Sequence, residues 1–104
     1  MSRQEILLNY QKTISQAERL EELANEINCM ADGDLEEVLC TLSDAWKGED
    51  GNDFRNKGNQ LIRLTRVHGR SLQKTADVLR RNAENTYRAE LRMIELAEKR
   101  GWLS

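Results

Sequence analysis

Side chains equipped for chemistry are few in this sequence. His68 is its only histidine, Cys29 and Cys40 its only cysteines, and Glu21-Glu22 and Glu36-Glu37 its adjacent glutamate pairs. A hydrolase or transferase needs a nucleophile, a base and an oxyanion donor, or a metal, held in a rigid pocket. No such set is spelled out here. His68 lies within an apolar run, with Leu64, Thr65, Ser71 and Leu72 at helical spacing from it and no Cys, Asp or Glu there to complete a metal pair. It reads as a seam or flank residue. The paired glutamates read as helical surface, serving solvation and salt bridges rather than acid–base catalysis. On one helix, Cys29 and Cys40 would be separated by roughly 16 Å of rise, beyond disulfide reach, and their spacing fits no zinc pattern. We read them as small, reduced, buried residues. No glycine-rich phosphate loop follows a strand. The expectation is a protein that is not an enzyme, with no catalytic residues, no metal site and no cofactor.

The elements that would carry these residues follow from composition. The chain has 104 residues, 38% hydrophobic and 33% charged, with 5% aromatic residues and no proline. That balance favours long solvated helices over aromatic strands and tight turns, and it leaves little material for a private core, so a partner is expected. No stretch approaches the roughly 20 apolar residues of a membrane span, and the opening Ile6-Leu7-Leu8 run is too short for a signal peptide. We expect a chain made as a soluble protein without a general-export leader or transmembrane segment.

The net charge of −2 hides an asymmetry. Residues 1–50 hold 4 Lys/Arg against 12 Asp/Glu, a balance of −8, and residues 51–104 hold 12 against 6, a balance of +6. Oppositely charged helices laid side by side satisfy each other along their flanks. The rival reading is a nucleic-acid surface along Arg63, Arg66, Arg70, Lys74, Arg81, Arg88 and Arg92. That stripe has no interleaved aromatics and would lie beside an acidic half, so nucleic acid is not the expected partner.

Apolar or small residues recur at heptad spacing from the start: Tyr10, Ala17, Ala24, Ala31, Val38 and Ala45, flanked by Ile6, Leu20, Ile27, Leu35 and Leu42. This predicts a helix over about 3–44. Leu7, Ile14, Leu23, Met30 and Leu39 widen its stripe enough to touch both a hairpin partner and a second subunit. Asp32-Gly33-Asp34 is its weak point, where glycine costs about 1 kcal/mol relative to alanine, and we expect a continuous helix with a bend.

The pattern stops between Ser43 and Phe54, where Gly48, Gly51 and an Asn/Asp cluster supply a reversal, predicting a turn over about 45–52. Asn52 or Asp53 would cap the next helix, and Trp46 and Phe54 would fold over the end of the core. A second helix over about 53–99 carries Phe54, Leu61, Leu64, His68, Leu72, Ala76, Leu79, Ala83, Tyr87, Ile94 and Ala97. At about 1.5 Å per residue each helix would run some 60 Å, giving a narrow rod. The expected fold is all-α, a single antiparallel two-helix hairpin over 1–104. Its packing seam is Ala17, Ala24, Ile27, Ala31, Val38 and Leu42 on one helix and Phe54, Leu61, His68, Leu72 and Leu79 on the other. Trp102 and Leu103 fall in a short tail over 101–104, either tucked onto the helices or free as a hydrophobic handle.

Trp46-Lys47-Gly48, central in a chain of this length and between two long helices, resembles the WXG family of small type VII (ESX) secretion proteins, the ESAT-like proteins. Phe54 at the start of the second helix and the Leu72-x-x-x-Ala76-x-x-Leu79 run add to a resemblance that covers essentially the whole chain. The resemblance implies a hairpin that pairs with itself or a related hairpin into an elongated four-helix bundle. It also implies export by a membrane ATPase, without a cleaved signal peptide, to the cell surface or medium. The chain departs from the family at the export signal, commonly Tyr-x-x-x-Asp/Glu: Tyr87 is followed at that spacing by Leu91, with Glu90 one place early. Tyr87, Arg88 and Glu90 are thus the candidate export surface, and the turn motif Trp46 and Gly48 either caps the bundle or forms a groove for the secretion machinery. The function expected is that of a dimeric, non-enzymatic type VII substrate. Two alternatives stand beside it: an escort for the amino-terminal helical domain of a larger secreted toxin, and a cytosolic coiled-coil adaptor.

Overall fold

The computed structural model describes residues 2–46 and 48–101, and all regular structure among them is helical. Helix α1 runs Arg3–Cys29, passes through a π-helical turn at Met30–Leu35 into α2, Glu36–Ala45, and a reversal leads to α3, Glu49–Lys99. The contacts cluster into two compact units, Met1–Leu20 with Lys74–Ser104, and Glu21–Gln73. Trp102 and Leu103 lie outside the described residues.

In the first unit, the start of α1 and the end of α3 run antiparallel. The Arg3 guanidinium donates to both carboxylate oxygens of Glu98, at 2.5 and 3.0 Å, and the Tyr10 and Tyr87 rings lie 4.7 Å apart between centroids. Ile6, Ala17, Ala76 and Ala83 are buried. Both helix ends are capped from the sequence. The Ser2 hydroxyl accepts the Glu5 amide at 3.2 Å, in the arrangement that supplies a partner for an otherwise unpaired first-turn N–H. Gly101, in the left-handed region at φ 75°, donates its amide to the Glu98 carbonyl and stops α3.

The second unit pairs the end of α1, the π turn and α2 with the first part of α3, again antiparallel, with Asn28 against Gly69 and Leu39 against Gly58. Ala24 and Ala31 are buried completely and Ile62 nearly so. At Gly69 an added Cβ would run into the Asn28 side chain, which lies against the bare backbone of α3 there.

The π turn is where the expected heptad row departs from the observed one. Ala31 is fully buried, yet Val38, seven residues on, is 54% exposed, and Ala45 is exposed as well. Leu35 and Leu39 are half-buried instead. A π turn closes its hydrogen bonds one residue later than an α turn, so it inserts one residue and rotates everything after it relative to the row before it. The helix therefore does not break at Asp32-Gly33-Asp34 but widens there, with helical dihedrals on either flank, φ −63° and ψ −39° at Cys29 and φ −66° and ψ −40° at Glu36. Gly33 has a negative φ, and a Cβ there would meet nothing within 4 Å. Because nothing in the packing requires glycine at this position, Gly33→Ala should stabilise the chain by about 0.5–1 kcal/mol through the backbone entropy it removes. Urea titration followed by circular dichroism reads that gain, and a loss of stability would show that the π turn needs glycine.

Candidate functional site

The most constrained stretch of the chain is the reversal between α2 and α3, where Trp46 and Gly48 were expected to act. Trp46 takes an extended conformation, φ −118° and ψ 102°, while its amide still donates to the Leu42 carbonyl at 3.0 Å. Gly48 follows with φ 102°, a value L residues rarely adopt, and its carbonyl accepts the Asn52 amide at 3.0 Å, the first turn of α3. Glu49 and Asp50 occupy that turn, where negative charge suits the amide end of a helix. The helix thus starts at Glu49, ahead of the expected start at 53. Asn52 and Asp53 sit inside it rather than capping it. The physical reason is that one residue, Gly48, completes the turning of the chain.

Gly51 acts differently from Gly48. It is helical and buried, and a Cβ on it would collide with the Trp46 carbonyl, a backbone group with no freedom to rotate away. Arg55, one turn on, donates from Nη1 to the carbonyls of Ser43 at 3.3 Å and Trp46 at 3.4 Å, and from Nη2 to the Asn52 side-chain oxygen. These carbonyls belong to the last turn of α2, where a cation is favoured by the helix dipole and by the unpaired acceptors. The Trp46 ring rests on Phe54, with centroids 5.2 Å apart and planes at 36°, yet 48% of the residue stays exposed. The indole thus stacks on Phe54 while about half of the residue remains open to solvent.

An apolar groove of about 360 Å3 lies alongside, lined by Leu35, Val38, Leu39, Phe54, Gly58 and Leu61 among others. Its floor exists because Gly58 has no side chain: a Cβ there would stand 2.5 Å from Leu39 Cδ1 and 3.3 Å from its Cγ. On the flank of the same unit Arg66 bridges two acids, donating from Nε to Asp32 at 2.8 Å and from Nη2 to Glu36 at 2.7 Å. Hydrogen bonds to these two carboxylates raise its guanidinium pKa further above its ordinary value. Residues 21–46 contain eight Asp/Glu and no Lys or Arg, so this pairing has the sign expected of the two halves. The Arg3 pair with Glu98 has the opposite sense.

Of the seam residues expected from the sequence, Ala17, Ala24 and Ala31 are buried, and Ile27, Phe54, Leu72 and Leu79 are half-buried. Val38, Leu42, Leu61 and His68 are exposed in the single chain. So are Cys29 and Cys40, which were expected to be buried. Tyr87 and Glu90 are both half-buried and line one cleft of the first unit with Ile6, Tyr10 and Ala83, while Arg88 is exposed. The described residues hold no group of three or more His, Cys, Asp or Glu placed to bind a metal ion. Among them no helix is long and apolar enough to cross a membrane. Sequence reasoning missed Arg55, Gly58 and Arg66 as positioning residues. A cation one turn into a helix that follows a tight reversal is a signal for the first, but the other two act across the helix pair and leave no local trace.

No protein-family model matches the chain, and neither a curated protein nor a solved structure matches it.

The two turn glycines make separable predictions. Gly48→Ala forces an alanine into the left-handed region and should cost about 1–2 kcal/mol, whereas Gly51→Ala sets a methyl against a backbone carbonyl and should cost about 1–3 kcal/mol. In Gly48→Asn the loss should be smaller than in Gly48→Ala, since asparagine tolerates positive φ. Denaturant melts monitored by tryptophan fluorescence give all three. Equal losses for Gly48→Asn and Gly48→Ala would contradict the conformational role of Gly48.

Proposed function

We propose that this chain is a small, non-enzymatic interaction protein of the WXG type, exported by a bacterial type VII secretion system as a dimer with a second copy or a related hairpin. The observation that carries this reading is the reversal itself. Trp46 and Gly48 stand between long helices, Gly48 in a conformation that suits glycine and the indole seated on Phe54 but half open to solvent. A tryptophan kept for capping alone would cover the helix ends more fully, so the open face favours a groove that another protein reads.

The dimer is supported by where the apolar side chains go. Among the described residues no large side chain is fully buried, and five of the seven buried hydrophobic residues are alanines. Thirteen large hydrophobic residues among them are instead 40% exposed or more, including Leu23, Met30, Val38, Leu61, Leu64 and Val67 in the second unit. Apolar surface of that extent is a docking face rather than the scattered exposure of an ordinary monomer. Laid on the acidic 21–46 segment of another copy, the α3 face around Leu61 and Leu64 brings its flanking Lys57, Arg63 and Arg70 opposite carboxylates. Such a pairing, made twice about a two-fold axis, is a four-helix bundle. The same face would hold the amino-terminal helical domain of a larger toxin if the chain serves as an escort.

The protein is then synthesised in the cytoplasm and leaves by the secretion ATPase, with Tyr87, Arg88 and Glu90 as the candidate export surface. A tagged copy should accumulate in culture supernatant only when that ATPase is active, with a cytosolic marker controlling for lysis. Retention in the cytosol under both conditions would leave the coiled-coil adaptor as the better reading. For the assembly, Leu61→Asp with Leu64→Asp should halve the solution mass measured by light scattering while circular dichroism stays helical, because the charges enter an intermolecular face and not the alanine seam. An unchanged mass would remove that face from the interface.

A further inference from the structure

The π turn separates two apolar rows on one helix that compete for the same place against α3. The first row, Ala17, Ala24, Ala31, Val38 and Ala45, keeps strict heptad spacing and would stay on one face of an uninterrupted α-helix. The observed packing abandons it after Ala31, which is fully buried, and turns Leu35 and Leu39 inward while Val38 faces solvent. We infer that α2 has two packing registers against the 49–73 part of α3: the observed one, with Leu39 inward and the inserted residue taken up as a π turn, and a second, with Met30–Leu35 wound as ordinary α-helix and Val38 inward.

Two features select the observed register. The first is the notch at Gly58. The Leu39 tip occupies it closely: a Cβ on residue 58 would lie 2.5 Å from Cδ1, 3.2 Å from Cδ2 and 3.3 Å from Cγ, so the leucine would have to shift to admit it. Valine, shorter and β-branched, would fill less of that space. The second is Arg66, which holds Asp32 inside the π turn and Glu36 immediately after it, so the widened segment is tied to α3 within the turn and at its exit. A Cβ on Gly33, between them, would meet nothing within 4 Å, and the backbone freedom of glycine lowers the cost of moving between the two windings. The rotation has a consequence for the surface. Leu35, Val38 and Leu39 form one wall of the apolar groove, so the register decides which of them the groove presents. A π turn of this kind, an insertion that stays in the chain without breaking it, is a recurrent way of placing a side chain at a functional surface.

The test is thiol accessibility in the full-length chain with Cys29→Ser and Cys40→Ser. In that background Val38→Cys should react with a maleimide severalfold faster than Leu39→Cys, because position 38 is exposed and position 39 half-buried. Adding Gly58→Ala with Arg66→Gln should reverse the order, with circular dichroism unchanged. Reactivities that keep their order in a folded chain would overturn the second register. Deletion of Gly33 gives an independent measure that does not depend on the mutant notch. It removes the inserted residue, so ordinary α winding and the Leu39-inward register become compatible. The deletion chain should stay folded, its amides around the former π turn should exchange at least about tenfold more slowly, and adding Gly58→Ala with Arg66→Gln should no longer reverse the thiol order. Exchange as fast as in the parent chain, or loss of the fold on deletion, would overturn the inference.

Discussion

Close approach of two antiparallel helix segments, made possible by side chains no larger than a methyl group, is the constraint on which the rest of this structure depends. Ala17, Ala24, Ala31 and Ala76 are excluded from solvent altogether, and Gly69 leaves no room for even a Cβ beside Asn28. Helices that come this near gain many weak dispersion contacts along the backbone. They bury little side-chain area, because the residues at the contact have little to bury. Each unit is therefore held by geometric fit rather than by a thick core.

That choice settles where the larger apolar residues stand. With alanine and glycine occupying the contact, leucines, valines and methionines are displaced to the flanks and remain open to solvent in the single chain. The same economy operates at the reversal, where Gly48 takes a positive φ, Gly51 admits the Trp46 carbonyl, and Arg55 donates to the Ser43 and Trp46 carbonyls at the end of α2. There Trp46 stacks on Phe54 and stays about half exposed. An open indole and open apolar flanks are two results of one packing decision, and the proposed association would use both.

Charge works alongside packing without dominating it. Arg66 draws the acidic segment around the π turn onto α3, and the partners remain largely solvated, so the bridge orients the segment more than it strengthens it. Residues 21–46 carry eight Asp/Glu and no Lys or Arg, so the segment is strongly acidic where Arg66 meets it.

Much of this was legible in the sequence. The absence of proline, the 3.6-residue periodicity on both sides of a glycine-rich centre and the alanine row at heptad spacing specify helices, a reversal and the contact residues Ala17, Ala24 and Ala31, because periodicity and side-chain size are local properties. Trp46 and Gly48 could be singled out for the same reason. What only the tertiary structure decided is everything that depends on the facing helix. Whether Val38 or Leu39 turns inward is settled by a notch at Gly58, and the winding at Gly33 by that choice together with the Arg66 bridge. The start of α3 at Glu49 instead of beyond Asn52 goes with the positive φ of Gly48 and is accommodated by the absence of a side chain at Gly51. Between Val38 and Leu39 local periodicity does not decide, and the choice falls to residues distant in sequence and adjacent in space.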